Sequence, residues 1–318
     1  MLNTQAKIAI VGVGNVGSTF AFSLMMRGLV REIVLIDRDT KRAEGECMDL
    51  NHGASFVPPV KIYSQGYDGC QGANIVVITA GVRQLTGETR IDLVKRNIDI
   101  FKEIIPKIVN YAKDAIILVV SNPVDILSYF TWKISGLPSK RVIGSGTVLD
   151  SSRFRYLISQ HCQIDPRNIH AYVIGEHGDS ELPLLSSANI GGMPFFNYCP
   201  VCSKFSRCDP QKELENIFKE VKNAAYKIIE AKGATYYAIA LALVRIVEAI
   251  LRDENSLLPV STLIYDYYGI DDVYLGIPSI VNAKGVEKFL RLDLSSKEEE
   301  QLRYSANVLK EIIKKINL

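Results

Sequence analysis

The stretch KIAIVGVGNVGSTF, from Lys7 to Phe20, joins an apolar run to three closely spaced glycines. The run KIAIV is rich in aliphatic and β-branched residues, which is typical of a buried β-strand. Gly12, Gly14 and Gly17 follow in G-x-G-x-x-G spacing, and NVGSTFAFSLMMRGL after them has the composition of a helix. A strand, a glycine turn and a helix in this order predict the first unit of a parallel α/β sheet.

The next strand, EIVLID, ends at Asp37, twenty residues after Gly17. Glycines in this context let the backbone approach a pyrophosphate, which a helix N-terminus attracts. A carboxylate at the end of the second strand can accept hydrogen bonds from ribose hydroxyls, and its charge repels a 2′-phosphate. We therefore predict a dinucleotide site that favours NAD over NADP, although Arg38 weakens that preference. The alternative is an ordinary tight strand–helix turn.

Apolar strands and helices alternate through the first half of the chain. VKIYS, NIVVITAG, AIILVVSN and RVIGSGTVL have the character of buried strands, and DLVKRNIDIFKEIIPKIVNYAKD that of a helix. Such alternation predicts a parallel sheet covered on both faces.

The pattern changes after Leu149. A helix, SSRFRYLISQHC, and two long helices at about 211–231 and 235–252 are followed by LLPVSTLIYDY, VYLGIPSIVN and GVEKFLRLDL. Strands without helices between them predict antiparallel pairing. We expect a Rossmann-type, doubly wound α/β domain over residues 1–147 and an α+β catalytic domain with antiparallel strands over residues 148–318.

The composition argues against several classes of function. Lys and Arg number 37 against 35 Asp and Glu, and no basic block or stripe with interleaved aromatic residues supports nucleic-acid binding. The uncharged run from Ile8 to Met26 resembles a signal peptide or membrane span. However, its glycines and Asn15 interrupt it, and no small-residue cleavage site follows. We expect a soluble, cytoplasmic protein with no membrane or nucleic-acid partner.

Cys199, Cys202 and Cys208 cluster in a loop and suggest a zinc or redox site. Tetrahedral zinc needs four ligands, and no further Cys or His lies close by in sequence. We expect reduced thiols and no metal.

The segment VIGEHGDS, from Val173 to Ser180, contains one of only four histidines, His177, between glycines and acids. A histidine suits proton transfer near neutral pH because its unperturbed pKa is about 6.5. Such an imidazole needs a carboxylate on its second nitrogen. Glu176 and Asp179 are candidates, but sequence neighbours rarely project toward the same ring. Asp150, just after the last parallel strand, is better placed.

Six motifs occur in order between residues 12 and 240: GVGNVG, TAGVRQLTGETRIDLVKRN, VSNPVD, GSGTVLDSSRFR, IGEHGDS and KGATYYAIA. Together with DVYLGIPSIVNAKGV they resemble the bacterial NAD-dependent L-lactate dehydrogenases of the lactate/malate dehydrogenase family, over essentially the whole chain. The resemblance implies reversible hydride transfer between NADH and pyruvate, giving L-lactate and NAD. It also implies a homotetramer and a role in glycolysis and pyruvate fermentation.

The resemblance assigns roles to single residues. His177 matches the proton donor/acceptor, and Asp150 matches its carboxylate partner. Arg153 matches the residue that grips the substrate carboxylate, and Arg90 the loop arginine that polarises the carbonyl. Asp150 and Arg153 are also three apart at the start of a helix, so both can face one pocket. Asn122 and Thr235 match further substrate contacts. The remaining positions implied for NAD are Asn15, Val16, Thr79, Ala80, Gly81, Asn97, Val120, Asn122 and Ser145.

Lactate and malate enzymes share these catalytic parts and differ in the side chain that reads the substrate tail. That position corresponds to Gln84, and glutamine there resembles the lactate enzymes, whereas the malate enzymes carry arginine. Arg83 lies one position away, and a one-residue shift of the loop would present it instead. Malate dehydrogenase, another 2-hydroxy acid dehydrogenase and a non-catalytic NAD-binding protein remain alternatives.

Arg155 lies two residues after Arg153, about 200° around a helix, so the two arginines should point to opposite sides. In several bacterial lactate dehydrogenases, the residues matching Arg155 and His170 bind fructose 1,6-bisphosphate where subunits meet. Two-fold symmetry would gather two copies of each residue into a cationic cluster that suits a bisphosphate. The alternative is a salt-bridge partner and a strand-end imidazole.

Overall fold

A computed structural model describes residues 6–82, 87, 89–197 and 209–316. Six parallel strands form the centre of the main sheet: β1 (Lys7–Val11), β2 (Glu32–Ile36), β3 (Lys61–Ser64), β4 (Ile75–Ile78), β5 (Ile116–Val119) and β6 (Val142–Gly144). Their order in space is β3-β2-β1-β4-β5-β6. This is the strand order of a doubly wound dinucleotide-binding sheet, so the predicted Rossmann-type fold is confirmed.

Helices cover both faces of this sheet. The described helices are α1 (Asn15–Arg27), α2 (Thr40–His52), α3 (Arg90–Tyr111), α4 (Val124–Ser135), α5 (Val148–Cys162), α6 (Pro210–Lys232), α7 (Tyr237–Leu251) and α8 (Ser296–Ile316), of which α6 packs against α5. Successive residues of β1 enter opposite cores: Ile8 packs in the cluster that contains Phe20 of α1, and Ala9 in the cluster that contains Phe101 of α3. Strands buried on both faces explain the continuous apolar runs of the sequence.

The antiparallel strands predicted for the second half are confirmed. β12 (Ser256–Ile264), β13 (Val273–Asn282) and β14 (Gly285–Phe289) form a meander. These strands extend the parallel sheet through a pairing of Ser261 with Gly144, so that one sheet has nine strands. A Cβ at Gly144 would lie 2.7 Å from the Cβ of Ser261, and one at Gly146 would lie 2.4 Å from the Ser261 nitrogen. Glycine is therefore required where β12 joins the sheet.

Two small sheets lie beyond α5. One pairs β7 (Ile169–His170) with β10 (Asn189–Ile190), which also pairs with β11 (Met193–Pro194). The other pairs β8 (Val173–Ile174) with β9 (Leu182–Pro183). The second small sheet brackets the predicted catalytic histidine.

The predicted strand RVIGSGTVL is wrong in its second half. β6 ends at Gly144, and α5 begins at Val148, three residues before the predicted helix. Gly146 adopts a positive φ of 53° against β12, which ends the extended run. Asp150 consequently lies in the first turn of α5, where the helix dipole favours a carboxylate. The predicted domain boundary between residues 147 and 148 falls at the start of this helix.

Cys47 and Cys70 are buried free thiols, and Cys162 is also buried. Burial raises the pKa of Cys47 to about 11. The Cys199, Cys202 and Cys208 cluster lies outside the described residues. Among the described helices, none has the length and apolar character needed to cross a bilayer.

Candidate active site

The glycine turn after β1 is tightly packed. Gly12 has a φ of 97°, and a Cβ there would lie 2.5 Å from the Ala80 nitrogen. A Cβ on Gly17 would lie 2.0 Å from the Gly12 carbonyl oxygen. A Cβ on Gly14, by contrast, would meet no described atom within 4 Å. Gly12 and Gly17 thus fix the turn, whereas Gly14 leaves open space at the N-terminus of α1.

Asp37 faces this turn from the end of β2. Its carboxylate accepts hydrogen bonds from the backbone nitrogens of Val13, at 2.7 Å, and Asp39, at 2.9 Å. A cavity of about 400 Å³ lies between the glycine turn and Asp37. Its lining includes Gly12, Gly14, Asp37, Thr79, Ala80 and Gly81. The open space at Gly14, the helix N-terminus and a fixed carboxylate fit a dinucleotide with a pyrophosphate and a free ribose.

Other predicted cofactor positions lie at the same edge of the sheet. Asn97, fully buried on α3, accepts a hydrogen bond from the Val82 nitrogen at 2.8 Å and donates one to the Asn122 carbonyl at 3.1 Å. Its side chain therefore ties the loop after β4 to the loop after β5. Thr79 donates its hydroxyl proton to the Gly12 carbonyl. Val120 and Ser145 follow β5 and β6, and Asn15 and Val16 begin α1.

His177 and Asp150 form the centre of the second predicted site. The imidazole Nδ1 lies 2.6 Å from Asp150 Oδ2, and Arg153 Nη1 donates to Asp150 Oδ1 at 2.9 Å. The Asp150 side chain is 3% exposed, whereas the His177 side chain is 26% exposed. The predicted pairing of His177 with Asp150 rather than with Glu176 or Asp179 matches this geometry. Glu176 instead accepts a hydrogen bond from the Ser180 hydroxyl.

The ion pair controls the charge of the imidazole. Burial lowers the pKa of His177, but the charge and hydrogen bond of Asp150 outweigh it and raise that pKa to about 9. Burial raises the pKa of Asp150, whereas His177 and then Arg153 lower it, and the net shift is downward. The pair is therefore imidazolium and carboxylate at neutral pH. Because Asp150 contacts Nδ1, the other ring nitrogen is left for a substrate.

Two buried acids at this site were missed in the sequence. Asp125 on α4 accepts a hydrogen bond from the His177 backbone nitrogen, and Glu181 carries a carboxylate whose oxygen lies within 4.8 Å of ligand atoms of both His177 and Asp150. Asp150, His177 and Glu181 together have the composition of a metal site. However, Arg153 and His177 already engage the two Asp150 oxygens, so hydrogen bonding and ion pairing account for their geometry. In the sequence, the only indication of Asp125 was its position inside SNPVD, and the only indication of Glu181 was its position directly after GEHGDS.

Several predicted substrate residues are placed only in part. Arg90 is the first residue of α3, which Thr89 caps by accepting a hydrogen bond from the Asp92 nitrogen. Gln84, Arg83 and the Arg90 side chain lie outside the described parts of the structure. Asn122 is exposed after β5, and Thr235 is half-buried between α6 and α7.

Two protein-family models match the chain, one over each half. Residues 6–144 match the NAD binding domain of lactate/malate dehydrogenase. Residues 147–317 match its alpha/beta C-terminal domain. The chain belongs to the lactate/malate dehydrogenase family. The family model shows that the cofactor is NAD, and the cavity at the glycine turn fits a dinucleotide of this kind.

Relatives in this family are similar over nearly their whole length. The L-lactate dehydrogenase of Acetivibrio thermocellus is 56% identical over 312 residues, which are 98% of each chain. L-lactate dehydrogenase 1 of Clostridium acetobutylicum is 54% identical over 99% of this chain and 100% of its own. A crystal structure of the minor L-lactate dehydrogenase from Enterococcus mundtii, in a ligands-bound form, matches with a TM-score of 0.95 at 42% identity. That match covers 99% of this chain and all of the other. The family is that of NAD-dependent 2-hydroxy acid dehydrogenases.

Proposed function

We propose that this protein is an L-lactate dehydrogenase that reduces pyruvate to L-lactate, reversibly. The observation that carries the proposal is the connected cluster of His177, Asp150 and Arg153. It lies in a chain that is more than half identical to named L-lactate dehydrogenases. Bound NADH supplies the hydride. The residues of the chain bind and orient the substrate and supply the proton.

His177 is the proton donor in this proposal. With its pKa raised to about 9, the imidazole is charged at neutral pH and can donate a proton from Nε2 to the carbonyl oxygen. Asp150 stabilises the cation before transfer and holds the ring orientation through Nδ1. In the reverse direction the neutral imidazole accepts the proton of the lactate hydroxyl. His177→Ala should lose most turnover while NADH still binds.

Arg153 binds the substrate carboxylate. One of its terminal nitrogens is held by Asp150, which fixes the guanidinium beside the imidazole. A planar guanidinium can present two parallel N–H groups to a carboxylate. Arg90 would polarise the substrate carbonyl when its loop closes. Its positive charge would stabilise the transition state, because negative charge then develops on the carbonyl oxygen. Asn122 and Thr235 complete the pocket in this proposal.

Specificity for pyruvate rests on Gln84, which would face the substrate methyl group. Malate dehydrogenase is the second candidate, because Arg83 is adjacent in sequence. The test is the loss of NADH absorbance with pyruvate compared with oxaloacetate. A higher kcat/KM for oxaloacetate would overturn the lactate assignment, and no turnover with either acid would overturn the proposal of an enzyme.

The surface supports assembly into a homo-oligomer, and we propose the homotetramer. Helices α1 and α7 pack against each other and present large apolar side chains to solvent: Phe22 and Met26 are 53% and 56% exposed, and Tyr237 and Leu241 are 65% and 61% exposed. Large exposed apolar side chains on two neighbouring helices are the kind of surface that a protein–protein interface covers. We also propose a cytoplasmic location and a role in glycolysis and pyruvate fermentation.

Fructose 1,6-bisphosphate is the proposed effector. Arg155 Nε donates at 3.0 Å to the carbonyl of Ala171, the residue that follows exposed His170. Burial lowers the pKa of Arg155, but the guanidinium stays charged at neutral pH. The test is pyruvate saturation with and without the bisphosphate, in wild type and Arg155→Gln. If the bisphosphate changes neither the pyruvate saturation curve nor the assembly state of the wild type, Arg155 and His170 have a structural role instead.

A further inference from the structure

Glu181 is a buried acid that the proposed mechanism does not use. It lies between the turn of His177 and strand β9, and its backbone nitrogen donates to the Gly178 carbonyl at 3.2 Å. Only 6% of the residue is exposed. Acids are rarely buried to this extent without a charged partner, because desolvation disfavours the carboxylate.

The partners of Glu181 are the catalytic groups themselves. A carboxylate oxygen of Glu181 lies within 4.8 Å of a ligand atom on both Asp150 and His177. The cation Arg153 is bonded to Asp150 in the same cluster. Two other elements also bring charged groups to this cluster. Asp125 of α4 accepts a hydrogen bond from the His177 backbone nitrogen, and the positive charge of Lys222 on α6 lowers the pKa of Glu181.

These charges make the ionisation of Glu181 and His177 interdependent. When His177 is protonated, the charges of Asp150, Arg153 and His177 sum to +1, and an ionised Glu181 balances them. When His177 is neutral, an ionised Glu181 leaves a net negative charge in a buried cluster, which favours its protonation. Burial, and after it the charge of Asp150, raise the pKa of Glu181 to about 8. Both groups therefore titrate in one pH range.

Glu181 also lines a cavity between α6 and α8. The cavity has a volume of about 530 Å³ and is lined by Glu181, Lys219 and Lys222 on one side and Glu298 and Tyr304 of α8 on the other. Glu298 is held by hydrogen bonds from Ser186 and Ser295, so its carboxylate is already satisfied. Glu298 is therefore a second buried carboxyl on this cavity and serves as a control for Glu181.

We infer that Glu181 is a third titratable group of the catalytic centre, whose ionisation sets the pH range over which His177 stays charged. Glu181 acts through His177 and touches no substrate, so it is a positioning residue. An ionised Glu181 favours the protonated form of His177, the form that donates the proton in pyruvate reduction, because a carboxylate near the imidazole stabilises its cation. The catalytic consequence, but not the coupling itself, rests on the proposed function.

The experiment follows His177 directly by NMR in protein labelled with ¹³Cε1-histidine. The chain has only four histidines, and His177→Gln identifies the signal. In wild type we expect a broad titration, because two coupled groups share it. In Glu181→Gln the curve should sharpen to a single step and its midpoint should fall by about one unit or more, the size of shift that a charge within ~4–6 Å causes.

Matched variants separate coupling from a change in folding. Glu181→Asp keeps a carboxyl and should give a midpoint between those of wild type and Glu181→Gln. Glu298→Gln removes another buried carboxyl on the same cavity and should leave the His177 titration unchanged. An unshifted His177 titration in Glu181→Gln, or an equal shift in Glu298→Gln, would overturn the inference.

A kinetic measurement distinguishes this inference from the proposed function. The alkaline limb of kcat/KM for pyruvate should move to lower pH in Glu181→Gln by the amount seen in the NMR titration. If the NMR midpoint moves and the kinetic limb does not, Glu181 is coupled to His177 but His177 is not the proton donor. If neither moves, the coupling is wrong.

Discussion

The backbone nitrogen of His177 donates a 2.7 Å hydrogen bond to Asp125, a fully buried acid on α4. The second oxygen of Asp125 accepts a 2.6 Å hydrogen bond from the Ser261 hydroxyl on β12. Burial raises the pKa of Asp125 to about 6, so the carboxylate is ionised at neutral pH. The Asp125 side chain thus joins helix α4, strand β12 and the turn that carries His177.

Asp125→Ala should therefore reduce kcat more than it weakens NADH binding. Loss of a buried hydrogen bond that positions His177 costs about 1–3 kcal/mol, or roughly 5–150-fold in kcat. Steady-state kinetics and NADH fluorescence titration measure the two effects. Ser261→Ala is the control, since it removes the other hydrogen bond of Asp125 and leaves the one to His177. An equal loss of kcat in both variants would contradict a specific role in positioning His177.

Asp150→Asn should lower the pKa of His177 toward its ordinary value and reduce pyruvate turnover. The amide has the shape of the carboxylate but no charge to stabilise the imidazolium, so we expect a loss of about 10²-fold or more in kcat/KM. The pH profile should show its alkaline limb at lower pH. The control is Asp179→Asn, because exposed Asp179 is two residues from His177 and bonds instead to Tyr226. A comparable loss in that variant would mean that nearby charge alone matters.

Some contacts of the site could be predicted from motifs in the sequence. The pairing of His177 with Asp150, 27 residues apart, was predicted because Asp150 comes just after the last parallel strand and both residues lie in motifs of the family. Asp125 and Glu181 could not be found in this way, because their roles depend on how α4 and the turn before β9 pack. Likewise, no pattern in the sequence shows that β12 pairs with β6, since that contact needs Gly144 and Ser261 to meet across more than a hundred residues.

Gly14→Ala and Gly17→Ala should separate binding from folding. A Cβ on Gly14 has open space in the protein but would stand where a pyrophosphate approaches, so NADH affinity should fall with little change in stability. A Cβ on Gly17 would lie 2.0 Å from the Gly12 carbonyl, so that variant should be destabilised by several kcal/mol. Gly45→Ala on α2, also unobstructed, serves as the control. Equal thermal stability of the Gly14 and Gly17 variants would contradict this distinction.

Gln84→Arg should shift preference from pyruvate toward oxaloacetate. A guanidinium there can pair with the second carboxylate of oxaloacetate, but beside the methyl of pyruvate it is buried without a partner, at a cost of ~3–5 kcal/mol. The ratio of kcat/KM for the two acids should change by roughly 10²-fold or more. Arg83→Gln is the control and should leave the ratio near that of wild type. If Arg83→Gln changes the ratio and Gln84→Arg does not, the loop presents Arg83 instead.

The free energy of unfolding should fall as pH rises from 6.5 to 9. The pKa of His177 is raised from 6.5 to about 9 in the folded protein, so the folded state binds this proton more tightly than the unfolded chain. Its contribution to stability is fully present below pH 6.5 and is lost as pH rises through 9. Glu181, with its pKa raised from 4.5 to about 8, acts with the same sign up to pH 8.

Denaturant unfolding at fixed protein concentration, at pH 6.5, 7.5 and 9, measures this effect, because assembly also contributes to stability. In wild type we expect His177 to account for a loss on the order of 2–3 kcal/mol across this range, and Glu181 to add to it. His177→Gln should show a shallower dependence, since only Glu181 and other groups then titrate. His170→Gln, which removes an exposed histidine, should keep the wild-type slope. Stability that rises with pH over this range, or a His177→Gln slope as steep as wild type, would show that His177 does not hold its proton more tightly in the folded protein.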